Sequence, residues 1–389
     1  MRGRFSDGGL FANRKHEKFS MSATTTTNTT AAVLAAASNA EETRTLSLRW
    51  IIGARDDLVW FIGSVAASYA LFALYVGGLL PLVPMVAAWA ILIDAPHVFG
   101  TFSRTYFDRE ARRERGRLLW GALAFFAVGP LMVCAGLGLV FFFLAALWAY
   151  YHLVKQHYGF MVLYKKKNRD LAPTDNALDR LFILLALTYP FVRFVARDPE
   201  ALARVPRQLL SGVSYLETLL LAATVGVGLL WLLRQAQRAL ARQPLDVPKY
   251  LLLAACVPMH WLVLLTPMPH KPIAIVAILT IYHNLQYHRL IWFHNRKYAS
   301  SDGDNSARAR HGAAELISRR VVYYLCFGVL FGLWYQLPRQ YVSHASGQGA
   351  QLAQLVSAFF WGYAFIHYYL DSKIWRVRRD PSVGKALQM

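Results

Sequence analysis

Seven of the twelve histidines in this 389-residue chain lie near the ends of long apolar runs: His97, His152, His157, His283, His288, His294 and His367. Neutral imidazole is the commonest side-chain metal ligand, and polar groups placed inside apolar segments are costly enough to mark function. Two stretches share a pattern, Tyr151-His152-x4-His157 and Tyr282-His283-x4-His288. Residues five apart on a helix are separated by about 140° and rise about 7.5 Å. A regular helix therefore cannot readily bring both imidazoles of one pair to a single ion. The spacing predicts either two metals or a local distortion such as a π-bulge, and two such helices facing each other favour a dinuclear centre.

Carboxylates and amides stand close by. Asp94 is three residues before His97 and Asp371 four after His367, spacings that share a helix face. Each is a candidate ligand or an orienting partner for its histidine, although Lys373 and Arg376 also offer Asp371 ordinary pairing. The expected metal ligands are His97, His152, His157, His283, His288 and His367. Asp94, Gln156, Gln286, His294 and Asp371 are expected around them as hydrogen-bonding groups or further ligands, and Asn284 as a hydrogen bonder. A nitrogen-rich set with few carboxylates suits iron, copper or zinc better than magnesium or calcium. His260, His270 and His344 are expected at the opposite side. The sequence has no Gly-x4-Gly-Lys phosphate loop, no His-Glu-x-x-His and no Gly-x-Ser-x-Gly.

The elements that must position these residues follow from composition. Hydrophobic residues make up 56% of the chain and charged residues 16%, against about 25% charged in an average soluble domain. An aromatic content of 14% excludes a disordered basic protein. The net charge of +20 on so apolar a chain points to loops held against anionic lipid head groups, not to nucleic acid. The fold class expected is all-α, a polytopic integral membrane helical bundle.

A helix needs about 20 apolar residues to cross the hydrocarbon. Ten candidate spans meet this pattern: Leu58–Val76, Leu79–Phe99, Leu118–Leu139, Phe142–Leu163, Leu181–Val195, Leu219–Leu233, Tyr250–Thr266, Ile273–Phe293, Val321–Leu337 and Leu352–Leu370. The third and fourth are separated at Gly136–Gly138, and the fifth and sixth are short. Every even-numbered span ends in a basic segment, such as Lys165–Lys167 or Arg296-Lys297, and most odd-numbered spans end in nearly neutral turns. The loop with Arg197, Arg204 and Arg207 is the exception. The positive-inside rule then puts both termini in the cytoplasm, with the seven histidines towards that face. Residues 1–44, rich in Thr and Ala, are expected to be a disordered tail, with Met21 an alternative start. Residues 45–376 form the membrane domain and 377–389 a basic cytoplasmic tail. Cys134, Cys256 and Cys326 lie in apolar runs and read as small core residues, and the tyrosines near the histidines read as an interfacial belt.

His152-x4-His157 and His283-x4-His288 resemble the histidine boxes of the membrane iron oxygenases, the class of fatty-acid desaturases and of alkane and carotenoid hydroxylases. The class holds two irons with His-x3-4-His boxes near the cytoplasmic face. Its His-x2-3-His-His boxes are absent here, and ten predicted spans exceed its usual four to six. More loosely, the chain is similar to the polytopic bacterial carotene-cleaving oxygenases, in which scattered histidines hold one iron. The resemblance implies a dinuclear iron oxidoreductase of the bacterial inner membrane that hydroxylates, desaturates or oxidatively cleaves a lipid-like or other hydrophobic substrate. Copper or zinc would be the less favoured metals. Hydroxylation or desaturation would need an electron donor docking at the basic cytoplasmic face. A proton- or metal-coupled transporter and a haem-binding electron-transfer protein are the alternatives. Carriers usually bind at the bilayer midplane, whereas these polar residues lie towards one face.

Overall fold

A computed structural model describes residues 46–298, 305–345, 350–375 and 381–387 of the chain. The expected disordered tail, 1–44, lies outside the described residues. Ten long helices follow in order: α1 (Ala54–Val76), α2 (Leu82–Ser103), α3 (Arg109–Cys134), α4 (Gly138–Lys167), α5 (Pro173–Arg197), α6 (Leu210–Leu240), α7 (Val247–Leu265), α8 (Lys271–Asn295), α9 (Val321–Ala345) and α10 (Ala350–Ile374). Each covers most or all of one predicted span, and the turn between α3 and α4 falls at Gly136, where φ is +76°. Among the described residues, seven helices, α1 to α4, α6, α7 and α9, are long and apolar enough to cross a membrane. The other three are 25 residues each. Polar groups interrupt their apolar character, as His283, Asn284, Gln286, His288 and Arg289 do in α8. The fifth and sixth spans are longer than the apolar runs suggested, because α5 and α6 continue through charged residues that find partners.

Large apolar side chains cover the outside, among them Leu219, Leu229, Leu232 and Leu233 of α6 and Leu330 and Trp334 of α9. Such a surface suits lipid. Cys256 is buried, but Cys134 and Cys326 point outward and are exposed. An apolar run in a bundle has a lipid face as well as a core face, so the expectation of three core cysteines holds for one.

Two π-helical turns shape the bundle, Asp57–Ile62 in α1 and Ala90–Asp94 in α2. A π-turn shifts the backbone ladder by one residue and can leave a carbonyl to accept from elsewhere. The Phe61 carbonyl accepts from Tyr282 Oη and Gln286 Nε2, each at 2.7 Å. The Ile93 carbonyl lies 3.0 Å from His288 Nε2. All three partners come from α8, so the two distortions anchor one helix. Two residues past the second π-turn comes Pro96, which could not have donated to a regular ladder. There α9 approaches closely: a Cβ on Gly332 would stand 2.3 Å from the Ile91 carbonyl oxygen, and one on Gly328 2.8 Å from Pro96 Cβ. Only a residue without a side chain permits that approach.

One end of the bundle holds a buried lattice of charge. Asp179 of α5 accepts from Lys165 of α4, from Lys249 Nζ of α7 at 3.0 Å and from Trp231 Nε1 of α6 at 2.7 Å. Lys249 also donates to Asp170 at 2.7 Å, and Arg238 stands 3.1 Å from the same carboxylate. Arg234 donates to Asp175 at 2.6 Å. Beside the lattice, the two-residue strands β1 (Leu46–Ser47) and β2 (Leu245–Asp246) pair in parallel. The short helix Pro381–Ala386 brings Val383 and Leu387 into the core.

Removing one member of a buried ionic lattice strands its partners without compensation. Asp179→Ala should cost about 3–5 kcal/mol of stability, read as a large drop in the thermal midpoint of the detergent-solubilised protein. Burial pushes the Asp246 carboxyl up to about 7, although the Lys249 amide donates to it at 3.1 Å. Its Oδ2 has no partner among the described residues, which suits a carboxylic acid. The folded state then holds a proton that the unfolded chain releases. Stability should fall as pH rises from the ordinary carboxylate range towards about 7 and level off above it. Melts across that range should show the fall, and Asp246→Asn should flatten it.

Candidate metal centre

The four histidine-bearing helices touch in a ring: α2 meets α8 and α10, and α4 meets the same two. Each contributes one imidazole. His97 of α2, His152 of α4, His283 of α8 and His367 of α10 each offer a ligand atom, all within 4.8 Å of one another. His97 Nε2 lies 2.8 Å from His367 Nε2 and 3.3 Å from His283 Nε2. With metal–imidazole bonds of about 2.0–2.1 Å, coordinated nitrogens stand about 2.9 Å apart at a right angle and about 3.3 Å apart at the tetrahedral angle. These two separations fall in that range, while the four ligand atoms together spread over as much as 4.8 Å. His97, His283 and His367 are buried, and His152 is half-buried. His152 Nε2 has no hydrogen-bond partner among the described residues. A buried nitrogen left without a partner needs an explanation, and a bound cation supplies one. The four-histidine group could hold a metal ion, and its donor set fits iron, copper or zinc.

Around His367 a hydrogen-bonded relay runs back to a carboxylate. Thr101 Oγ1 lies 2.7 Å from His367 Nδ1 and donates to Asp371 Oδ1 at 2.7 Å. Tyr287 Oη donates to the same oxygen at 2.8 Å. With Asp371 accepting from Thr101, the hydroxyl oxygen is free to accept from Nδ1–H, which leaves the Nε2 lone pair facing the other histidines. Neither Thr101 nor Tyr287 was singled out as a site residue from the sequence. The available signal was spacing: Thr101 is four residues after His97, as Asp371 is four after His367, and Tyr287 is four after His283.

The remaining candidates take other places. His157 faces His260 of α7, with ring centroids 5.5 Å apart. His260 therefore sits beside a histidine expected at the other face, because the 19-residue α7 brings it to the depth of His157. His288 points to the Ile93 carbonyl and to Tyr324 Oη, 2.9 Å from its Nδ1. Its ring lies 6.2 Å from that of His97. His294 lies further along α8, its ring 5.6 Å from Trp375. Gln156 Nε2 donates to the His283 carbonyl at 2.8 Å and to Gln286 Oε1 at 3.2 Å. Asp94 accepts from Asn284 Nδ2 at 3.3 Å. Tyr282 and Tyr287 are fully enclosed, so they are not members of an interfacial belt.

Two cavities approach the group. The first, about 750 Å³, is lined mainly by apolar side chains, including Trp89, Phe142, Phe143, Leu147, Val276 and Leu279, and reaches all four histidines together with Asp94 and Asn284. The second, about 760 Å³, reaches His152 and Asp371 past Tyr151, Lys155, Gln156 and Tyr287. His152 and Tyr368 line both.

No protein-family model, no curated protein and no solved structure matches the chain. Hydrogen-bonded partners of metal-bound histidines commonly contribute about 10–100-fold to metal affinity. Thr101→Val and Asp371→Asn should each weaken metal binding within that range, measured by chelator competition on the purified protein, while leaving the helix content unchanged.

Proposed function

We propose that this chain is a membrane-embedded, metal-dependent oxidoreductase acting on a lipid-like substrate. The observation that carries the reading is the convergence of four imidazoles on the wall of a large, mainly apolar cavity. Such a cavity takes an alkyl or polyene chain by burial of apolar surface, with few polar groups to fix its register. Iron held by His97, His152, His283 and His367 would supply dioxygen activation when bound. The protein's own part is orientation and exclusion of water. Phe142, Phe143, Leu147 and Leu279 would hold the chain, and Asp94 with Asn284 would meet a polar group near the reacting carbon. Thr101 and Asp371 would keep the His367 ring in one tautomer.

The ligand geometry favours one ion over the dinuclear centre expected from the two Tyr-His-x4-His stretches, because His157 and His288 turn away from the group. For hydroxylation or desaturation an electron donor is needed. The second cavity, with Lys155 and Lys166 on its wall, is the approach to the group available to such a donor at the basic end. That end would face the cytoplasm of a bacterial inner membrane, its loops held by anionic head groups.

One observation favours a second reading, a metal-ion or proton-coupled carrier: two cavities reach His152 from different directions, as an alternating-access site requires. The readings separate experimentally. Detergent-purified protein should contain stoichiometric iron, largely lost in His152→Ala and His283→Ala. Membranes holding the wild-type chain should accumulate an oxidised lipid absent with either variant. Folded protein that takes up neither iron, copper, zinc nor manganese on reconstitution would falsify the metalloenzyme reading. Metal uptake into proteoliposomes without any oxidised product would favour the carrier.

A further inference from the structure

One pair of histidines stands apart from the four. His157 of α4 and His260 of α7 meet edge-on, at an interplanar angle of 87°, and both are fully buried. Nδ1 of His260 lies 2.8 Å from the Cys256 carbonyl oxygen. A carbonyl only accepts, so Nδ1 carries the proton and Nε2 the lone pair. That Nε2 has no hydrogen-bond partner among the described residues, and neither ring nitrogen of His157 has one. Unpartnered polar atoms in a dry core are uncommon enough to call for an occupant, and here three of them belong to two facing imidazoles.

We propose that His157 and His260 form a second metal site, separate from the four-histidine group, which takes one monovalent copper ion. Geometry separates the two sites. His152 and His157 lie about 140° apart around α4, so the helix offers one imidazole to the ring of α2, α8 and α10 and the other to α7. Two imidazoles bound at about 2.0 Å place their ring centroids about 5–6 Å apart over a broad range of angles. The observed 5.5 Å falls within it.

Charge selects the ion. The groups around the pair are uncharged: the Tyr282 ring stacked on His157 at 5.1 Å, the Cys256 carbonyl, the Tyr150 ring 6.1 Å from His260, and the imidazole of His283, which lies within electrostatic range of both rings. The cost of burying an ion rises with the square of its charge, so two neutral ligands in such surroundings favour a singly charged cation over Zn²⁺ or Fe²⁺. Imidazole suits copper, and the filled d shell of monovalent copper accepts as few as two nitrogen donors. The inference does not rest on what the four-histidine group binds.

The test uses the full chain in detergent, titrated with monovalent copper against a chromophoric chelator under anaerobic, reducing conditions. The His97→Ala/His152→Ala/His367→Ala triple variant leaves a single histidine of the first site and should still bind one copper per chain, with nitrogen-only, low-coordinate scattering in X-ray absorption. Adding His157→Leu or His260→Leu should abolish that copper while circular dichroism and gel filtration stay unchanged. Adding His260→Met in place of His260→Leu should restore it with a sulfur scatterer, which guards against loss by misfolding. A folded triple variant that binds no copper would mean a buried water bridges the pair and would overturn the proposal. Copper retained by both leucine variants would overturn it equally.

Discussion

The position of α8 is the constraint on which the histidine group depends, and two backbone carbonyls fix it. Inside an apolar bundle every backbone oxygen needs a donor, and a π-turn creates a local exception that a neighbour can use. Phe61 and Ile93 provide such oxygens, and Tyr282, Gln286 and His288 of α8 take them. These three residues bracket His283. Its depth and rotation are thereby set from α1 and α2, while Gln156 of α4 holds its carbonyl from the other side. A helix held at four points along seven residues has little freedom to slide or turn.

The charge lattice at the other flank performs a similar task at a different cost. Lys165, Asp179, Lys249 and Asp170 tie the ends of α4, α5 and α7 together, with Arg238 of α6 beside them. Buried ion pairs are weak contributors to net stability, yet they tolerate few alternative registers. They hold the basic end of α4 fixed, and α4 carries both His152 and His157.

Chemically, the group joins four imidazoles to a Thr101–Asp371 relay and to two cavities of similar size. His152 and Tyr368 form the wall that the two cavities share. His152 is the least buried of the four histidines, which suits the ligand that faces both spaces.

Much of this was legible along the chain. Long apolar runs broken by basic segments specify helices of membrane length, because lipid leaves the backbone no other partner. The Tyr-His-x4-His spacing already implied that each pair must divide between two faces or rest on a distortion. The pairs divide: His152 and His283 turn to the group and His157 and His288 turn away, and the π-turns lie in α1 and α2, not in the helices that carry the pairs. Which histidine takes which role was decided only by the fold, since periodicity gives the angle between two residues and not the neighbour each will meet. Tertiary structure made His288 a clamp on Ile93, brought His260 to His157, and turned Thr101 and Tyr287 into partners of Asp371. The same holds for α5 and α6, whose charged ends stay helical because Asp175, Asp179, Arg234 and Arg238 find partners on other helices. Helix length and amphipathic character are local properties and are written in the sequence. Convergence of side chains from four helices is a property of how those helices pack, and it exists only once they do.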